Sequence, residues 1–329
     1  MDILLLTASD IGALLTPERC RQAVAAAFRQ HGDGTAADPV LCGVAVSGGG
    51  FHIKAGVVSL VERRFVAKTN ANFPDNPRHG LPTIQGLVLL FRADDGQPLA
   101  VMDSGRITVL RTAAATAVAA QYLARLDAEV LTICGCGEQG LAHVLALREV
   151  LPLRTVIAVD ANPSAAERLA RTAVELGLES RATTEVRASM LAADVCVTCT
   201  PSRRWLIGPD DVRPGTFVAG VGSDAAEKQE LAPGLLARAS VFVDVLEQSA
   251  TIGDLHHALE AGAMTRADVR AQLGEVVSGS KPGRRTADEI TVFDSTGMAL
   301  QDAAAASVVF DLAQASGHGV RFSFTNRKS

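Results

Sequence analysis

The run Leu131-Thr132-Ile133-Cys134-Gly135-Cys136-Gly137-Glu138-Gln139-Gly140 is an apolar, β-prone stretch entering G-x-G-x-x-G, and Asp160 stands twenty residues beyond the last glycine. Such spacing suits a dinucleotide. Gly135 permits the turn, Gly137 lets backbone approach a pyrophosphate, and Gly140 lets helix pack on strand. Glu138 and Gln139 open the helix, where free N–H groups and the positive end of the helix dipole meet phosphates. Asp160, at the end of a second strand, is placed to hydrogen-bond the adenosine ribose hydroxyls. A carboxylate there repels a 2′-phosphate, which favours NAD over NADP. A chain with 29 glycines can carry such a triplet by chance. Here strand, helix, second strand and acid all fall where the motif needs them.

The elements that must position this loop follow from patterning. Glu129 to Cys134 reads as a strand, Leu141 to Val150 as a helix and Thr155 to Asp160 as a second buried strand. Alternation continues through Pro163 to Leu176, Asp194 to Thr200, Thr216 to Val221 and Val241 to Val245. This is the α/β pattern of a Rossmann-type doubly wound parallel sheet. Upstream, Thr16-Pro17 reads as an N-cap and first helical proline, with an apolar stripe from Glu18 to Gln30. A β-rich region follows: Leu41 to Val46, the turn Ser47-Gly48-Gly49-Gly50, Phe51 to Leu60, Arg64 to Asn70, Thr83 to Phe91 and Leu99 to Asp103. The alanine-rich segment Ile107 to Leu126 is a long helix, and Gly297 to Ala315 is a helical return expected to pack on the amino-terminal part. The resulting expectation is a Rossmann domain over 121–299, inserted into an α+β substrate-binding and dimerisation domain over 1–120 and 300–329.

With 329 residues, 48% of them hydrophobic, the chain can bury real cores. No apolar run reaches the roughly 18 residues of a membrane span, and Met1-Asp2-Ile3-Leu4 lacks a basic leader, so a cytoplasmic protein without membrane partners is expected. The net charge of −5 is scattered and offers no basic stripe for nucleic acid. Cys134-x-Cys136 and Cys196-x-x-Cys199 have spacings that could suggest a metal or redox pair. Residues three apart on a strand diverge, however, and buried reduced thiols are the simpler account, with no metal expected.

Four further segments stand out: Val66-Ala67-Lys68-Thr69-Asn70, Leu110-Arg111-Thr112-Ala113-Ala114, Gly222-Ser223-Asp224-Ala225-Ala226-Glu227-Lys228-Gln229-Glu230-Leu231 and Phe293-Asp294-Ser295-Thr296-Gly297. With Gly80-Leu81-Pro82-Thr83-Ile84-Gln85-Gly86 and Thr200-Pro201-Ser202, their order and wording resemble the ornithine cyclodeaminase/mu-crystallin family over nearly the whole chain. The resemblance implies a nicotinamide cofactor, an amino-acid or imine substrate and a homodimer built through the amino-terminal sheet. It is not specific to one activity, because that family spans cyclodeaminases, amino-acid dehydrogenases, imine reductases and a hormone-binding crystallin.

By resemblance, Lys68 faces the substrate and can bind its carboxylate or exchange protons with its nitrogen. Arg111, otherwise a solvated arginine in an apolar helix, grips the carboxylate bidentately and lies on the cofactor side as well. Thr112 lies near the cofactor phosphates. Asp224, past a strand end where open α/β sheets put ligands, is the acid/base for the substrate nitrogen or attacking water; its alternative is a capping aspartate. Thr200, Pro201, Ser202, Gly222, Lys228 and Ser295 match cofactor-side positions.

The chain departs from the family where proline and glycine are replaced by Ala226 and Glu227. It departs again where the cyclodeaminases carry an arginine and a glutamate on the first hairpin. Here those regions read Pro39-Val40-Leu41 and Phe51-His52-Ile53-Lys54. His52 and Lys54 share a strand face. Lys54 can supply positive charge to the substrate carboxylate or to a second carboxylate, or it can face solvent. These departures favour an NAD-dependent amino-acid dehydrogenase or imine reductase, working by hydride transfer between Cα and nicotinamide C4. The alternatives are a redox-neutral ornithine or lysine cyclodeaminase and, behind it, a non-catalytic crystallin-like binding protein, whose branch lacks the aspartate matched by Asp224.

Overall fold

The computed structural model describes residues 2–323. Two compact units emerge, one formed by Met1–Arg111 with Met298–Ser329 and the other by Thr112–Gly297. The division falls inside the helix Ser104–Leu123.

The first unit is a seven-stranded sheet in the order Val320–Ser323, Asp2–Leu6, Pro98–Asp103, Ile84–Arg92, Arg63–Asn72, Gly49–Ser59, Val40–Val46. Only Asp2–Leu6 and Pro98–Asp103 pair in parallel; the remaining pairs are antiparallel. Thr16 caps the helix Pro17–Gly32 by accepting from the Arg19 N–H, with proline in the first turn, as the sequence suggests. The helix Ala299–Ser316 returns over this helix and over the strands Gly49–Ser59 and Arg63–Asn72, so the first unit is built from both ends of the chain. Its run of alanines, Ala303 to Ala306, is fully buried, because short side chains let the helix lie close against the sheet.

Sequence and structure differ at the first hairpin. The turn contains only Ser47 and Gly48, with Val46 opposite Gly49, so Gly49 and Gly50 belong to the following strand. A two-residue loop keeps the ladder in register, and the extra glycines serve close packing rather than the turn. The strands Asp2–Leu6 and Val320–Ser323 have no counterpart in the sequence reading. One is too short to show a period, and the other is held by pairing with the opposite end of the chain.

The second unit is an eight-stranded parallel sheet in the order Ala271–Gln272, Ser240–Val243, Thr291–Asp294, Phe217–Gly220, Val195–Thr198, Val130–Cys134, Thr155–Val159, Glu179–Thr183. The chain winds outward from Val130–Cys134 to one edge and then returns to the other side of that strand. This is the doubly wound α/β arrangement, with its switch point between Val130–Cys134 and Val195–Thr198. The central strands are buried on both faces, which explains their continuous apolar runs. Strand Thr291–Asp294 inserts between Phe217–Gly220 and Ser240–Val243, an order reached only after a long excursion and unread in the sequence. No helix among the described residues is long and apolar enough to cross a membrane.

Candidate active site

In the second unit, four neighbouring parallel strands end in the segments singled out from sequence: the glycine loop, Thr200-Pro201-Ser202, Gly222-Ser223-Asp224 and Ser295. Gly135 has φ +102, and a Cβ there would stand 2.7 Å from the Cys199 carbonyl oxygen. A Cβ on Gly140 would collide with the Gly135 carbonyl oxygen. At Gly137, by contrast, a Cβ would meet nothing within 4 Å. Gly137 is the N-cap of the helix Glu138–Leu147 and supplies no capping side chain, so the first N–H groups of the helix are left for an anion. The buried Gln139 Oε1 and Ser295 Oγ have no hydrogen-bond partner among the described residues. An open helix N-terminus carrying the unpartnered Gln139 Oε1, with the unpartnered Ser295 Oγ past the end of another strand of the same sheet, fits a phosphate-bearing polar ligand.

Asp160 follows the strand Thr155–Val159 and has a second task. Its Oδ2 accepts from the Cys136 N–H at 2.8 Å and its Oδ1 from the Asn162 N–H at 2.8 Å. The carboxylate therefore braces the glycine loop, and each oxygen keeps a lone pair for a ribose hydroxyl. The helix behind the loop is pinned by His143, which the sequence reading missed. Its Nδ1 donates to the Gln139 carbonyl at 2.7 Å, so Nε2 accepts from Thr116 Oγ1 at 3.0 Å. Burial holds His143 down at about 4, hence neutral. Thr112, buried, lies one turn before Thr116.

Asp224 is half-exposed and paired with Lys228 Nζ at 2.6 Å, while Ser223 Oγ donates to the Lys228 carbonyl at 2.7 Å. Thr200 donates through both N and Oγ1 to Glu230 Oε1, each at 2.6 Å, and Gly222 N donates to Glu230 Oε2 at 2.7 Å. Pro201 and Ser202 follow Thr200, and the Ser202 N–H donates to Thr200 Oγ1 at 3.2 Å. The cysteines near the loop are all free. Cys199 lies past the end of its strand with Sγ 3.1 Å from the Gly135 carbonyl oxygen. Burial pushes the Cys136 thiol up to about 12 and the Cys199 thiol well above its ordinary value, which suits packing rather than nucleophilic or metal chemistry.

The first unit gathers Lys54, Lys68 and Arg111. Lys54 and Lys68 stand directly opposite each other on adjacent antiparallel strands, and both are buried, at 8% and 2% exposure. Burial decides for Lys54 against a solvent-facing side chain. Arg111 is buried as well. What makes this tolerable is Asp302, a residue the sequence reading missed. Its Oδ1 accepts from Lys68 Nζ at 2.7 Å and from Arg111 Nε at 3.0 Å, and Gln301 Oε1 accepts from Arg111 Nη1 at 2.9 Å. Burial, with Arg111 and Lys54 nearby, lowers Lys68 to about 7 against the opposing pull of Asp302. Burial would push the Asp302 carboxyl up, but the three cations outweigh it and hold it below the usual range. One carboxylate thus lies under the influence of three basic side chains, the kind of cluster that can receive an anion.

The profile of the ornithine cyclodeaminase/mu-crystallin family matches residues 1–317. The chain belongs to this family. Within it, the chain is 36% identical over 324 residues to the alanine dehydrogenase of Archaeoglobus fulgidus, covering 98% of this chain and 99% of that one. It is 37% identical over 323 residues to the iminosuccinate reductase of Paracoccus denitrificans, covering 96% and 98%. An archaeal alanine dehydrogenase dimer solved with bound NAD matches the structure with a TM-score of 0.94 at 35% identity, over 99% of this chain and all of that one. Members of the family similar to this chain are thus enzymes acting on small amino acids or imines.

Proposed function

We propose that the protein is an NAD-dependent oxidoreductase of C–N bonds, interconverting an L-amino acid and its imine. The observation that carries this reading is the convergence of the buried Lys68 and Arg111 on a single carboxylate, Asp302. The second unit would hold NAD, with Gly135, Gly137 and Gly140 and the helix N-terminus at Glu138 and Gln139 around the pyrophosphate. Asp160 would take the adenosine ribose and Ser295 the nicotinamide side. When bound, NAD supplies the acceptor for the hydride that leaves the substrate Cα.

The protein's own residues then have defined tasks. Arg111 and Lys68, with Lys54 behind them, fix the substrate carboxylate and so orient Cα. Asp224 accepts a proton from the substrate ammonium when Lys68 is protonated on the carboxylate, and Lys68 takes that proton where it is uncharged, since only a neutral amine can push hydride off its carbon. Loss of that hydride leaves an iminium, which water converts to a 2-oxo acid and ammonium. In the reverse direction the iminium receives hydride and the same groups return the proton. Three cations beside one carboxylate favour an anionic substrate group over the second ammonium of a diamine, which ranks the cyclodeaminase reading lower.

Dimerisation through the first unit's sheet is part of the same proposal. Val40, Val44, Val46, Phe51, Leu87 and Leu89 on that sheet leave large apolar side chains exposed, which a second copy would cover. Sedimentation as a monomer at working concentration would count against it.

To test the activity, purified protein is incubated with NAD+ and a panel of L-amino acids including ornithine and lysine, following NADH and ammonia together. Ammonia in step with NADH is the expected result and identifies the substrate. Ammonia without net NADH overturns it in favour of a cyclodeaminase. If both are silent, oxidation of NADH with cyclic imines, or with 2-oxo acids plus amines, is expected instead. Silence there as well would leave a binding protein.

A further inference from the structure

The second unit buries negative charge in a pattern that the proposed reaction does not use. Glu230, Asp254 and Asp294 are completely buried, and their carboxylates accept hydrogen bonds from N–H and O–H groups rather than from lysine or arginine. They form a chain in which each carboxylate holds the backbone of the next acid. Asp294 accepts from the Asp254 N–H at 3.1 Å and the Leu255 N–H at 2.9 Å. Asp254 Oδ1 accepts from the Glu230 N–H at 2.8 Å and the Leu231 N–H at 2.9 Å. Glu230 ends the chain with two arms, one oxygen on Thr200 N and Oγ1 and the other on Gly222 N.

Burying carboxylates is expensive, and apolar residues of similar volume stabilise a core at least as well. Desolvation raises the Glu230 and Asp294 carboxyls and takes that of Asp254 to about 7, which registers this cost. The arms end at Thr200 and Gly222, one following Val195–Thr198 and the other Phe217–Gly220, adjacent strands of which the first pairs with the glycine-loop strand. Cys199, next to Thr200, is the residue whose carbonyl oxygen crowds Gly135. We propose that Glu230 is a positioning residue for the dinucleotide: a two-armed clamp that sets the spacing of the Thr200–Ser202 and Gly222–Asp224 segments against the glycine loop. Asp254 and Asp294 hold the backbone of the clamp itself. The inference rests on the reading that the second unit binds NAD.

A carboxylate can accept on both arms at once, whereas an amide has one acceptor oxygen and turns an N–H toward the other arm. Glu230→Gln is therefore nearly isosteric yet breaks the clamp. Calorimetric titration with NAD+ alone, without substrate, is expected to show a dissociation constant at least tenfold higher for this variant. The isosteric Thr200→Val, which deletes one donor to Glu230, is expected to weaken NAD+ several-fold, and Thr200→Ser to restore it. That pair carries the test if Glu230→Gln does not fold. A lower melting temperature with unchanged NAD+ affinity in Glu230→Gln would make the residue merely structural and overturn the clamp, as would equal affinities in Thr200→Val and Thr200→Ser. Wild-type protein that binds no NAD+ would instead overturn the proposed function, and the clamp with it.

Discussion

Each unit holds a buried charge cluster, and the two clusters are built in opposite ways. In the first, three basic side chains act on Asp302, so charge is compensated by charge. In the second, Glu230, Asp254 and Asp294 are held by backbone N–H groups and a threonine hydroxyl. The difference follows from what each is proposed to bind. A receptor for a small carboxylate needs mobile-proton cations kept dry and aligned, and one internal counter-ion achieves this without cancelling them. A cradle for phosphates is made from backbone N–H groups, whose placement matters more than net charge; buried carboxylates there fix loops.

Loss of Lys68 should separate the two units most sharply. Lys68→Met is expected to lower kcat/KM by about 10²–10³-fold while leaving NAD+ affinity unchanged, measured by steady-state kinetics and calorimetry. Equal losses in both would mean that the two units do not divide the labour. Asp302→Asn comes next. It leaves buried cations without their counter-ion, and denaturant unfolding should show a loss of about 3 kcal/mol. The same variant should drive the Lys68 titration, followed by 13C-lysine NMR, below its wild-type midpoint, because Asp302 is the group that opposes its fall. An unchanged midpoint would remove Asp302 from the receptor.

A pH series sharpens the contrast further. Lys68 is lowered to about 7 in the free protein, so above that pH it has lost its proton, and a bound carboxylate must raise its pKa again. Carboxylate affinity should therefore weaken as pH rises through 7, with proton uptake on binding visible by calorimetry in buffers of different ionisation enthalpy. The second unit should respond through stability instead. Asp254 is raised from 3.8 to about 7, so the folded state keeps a proton that the unfolded chain releases between those values. Stability then falls as pH climbs from about 4 to about 7 and levels off above. Asp254→Asn should abolish that fall, on the order of a few kcal/mol across the range, read from denaturant midpoints. A slope identical to wild type would show that the proton resides elsewhere in the carboxylate chain.

Local signals in the sequence reached as far as their own neighbourhoods. The glycine loop is legible because its turn, helix start and strand contacts lie within a few residues of one another, and the alternation of strands with helices announces the parallel sheet. The helix cap at Thr16-Pro17 is legible for the same reason. Arg111 drew attention as a charge in an apolar helix, and Asp302 carries the same mark among the alanines of Ala299–Ser316. Its role is not legible locally, because no residue near it in the sequence says what it meets. Its partners lie 234 and 191 positions away, brought to it when the carboxy-terminal helix returns over the sheet. Glu230 was likewise hidden, since one of its arms reaches back thirty positions to Thr200. Strand Thr291–Asp294 took its place inside the sheet after a long excursion that no local period records. Residue types and short spacings determined the nucleotide loop, the cations and the alternating elements, because backbone geometry and side-chain period act over a few residues. Only the tertiary structure decided which carboxylate neutralises which cation or clamps which loop, because burial pairs charges by their distance in space, not along the chain.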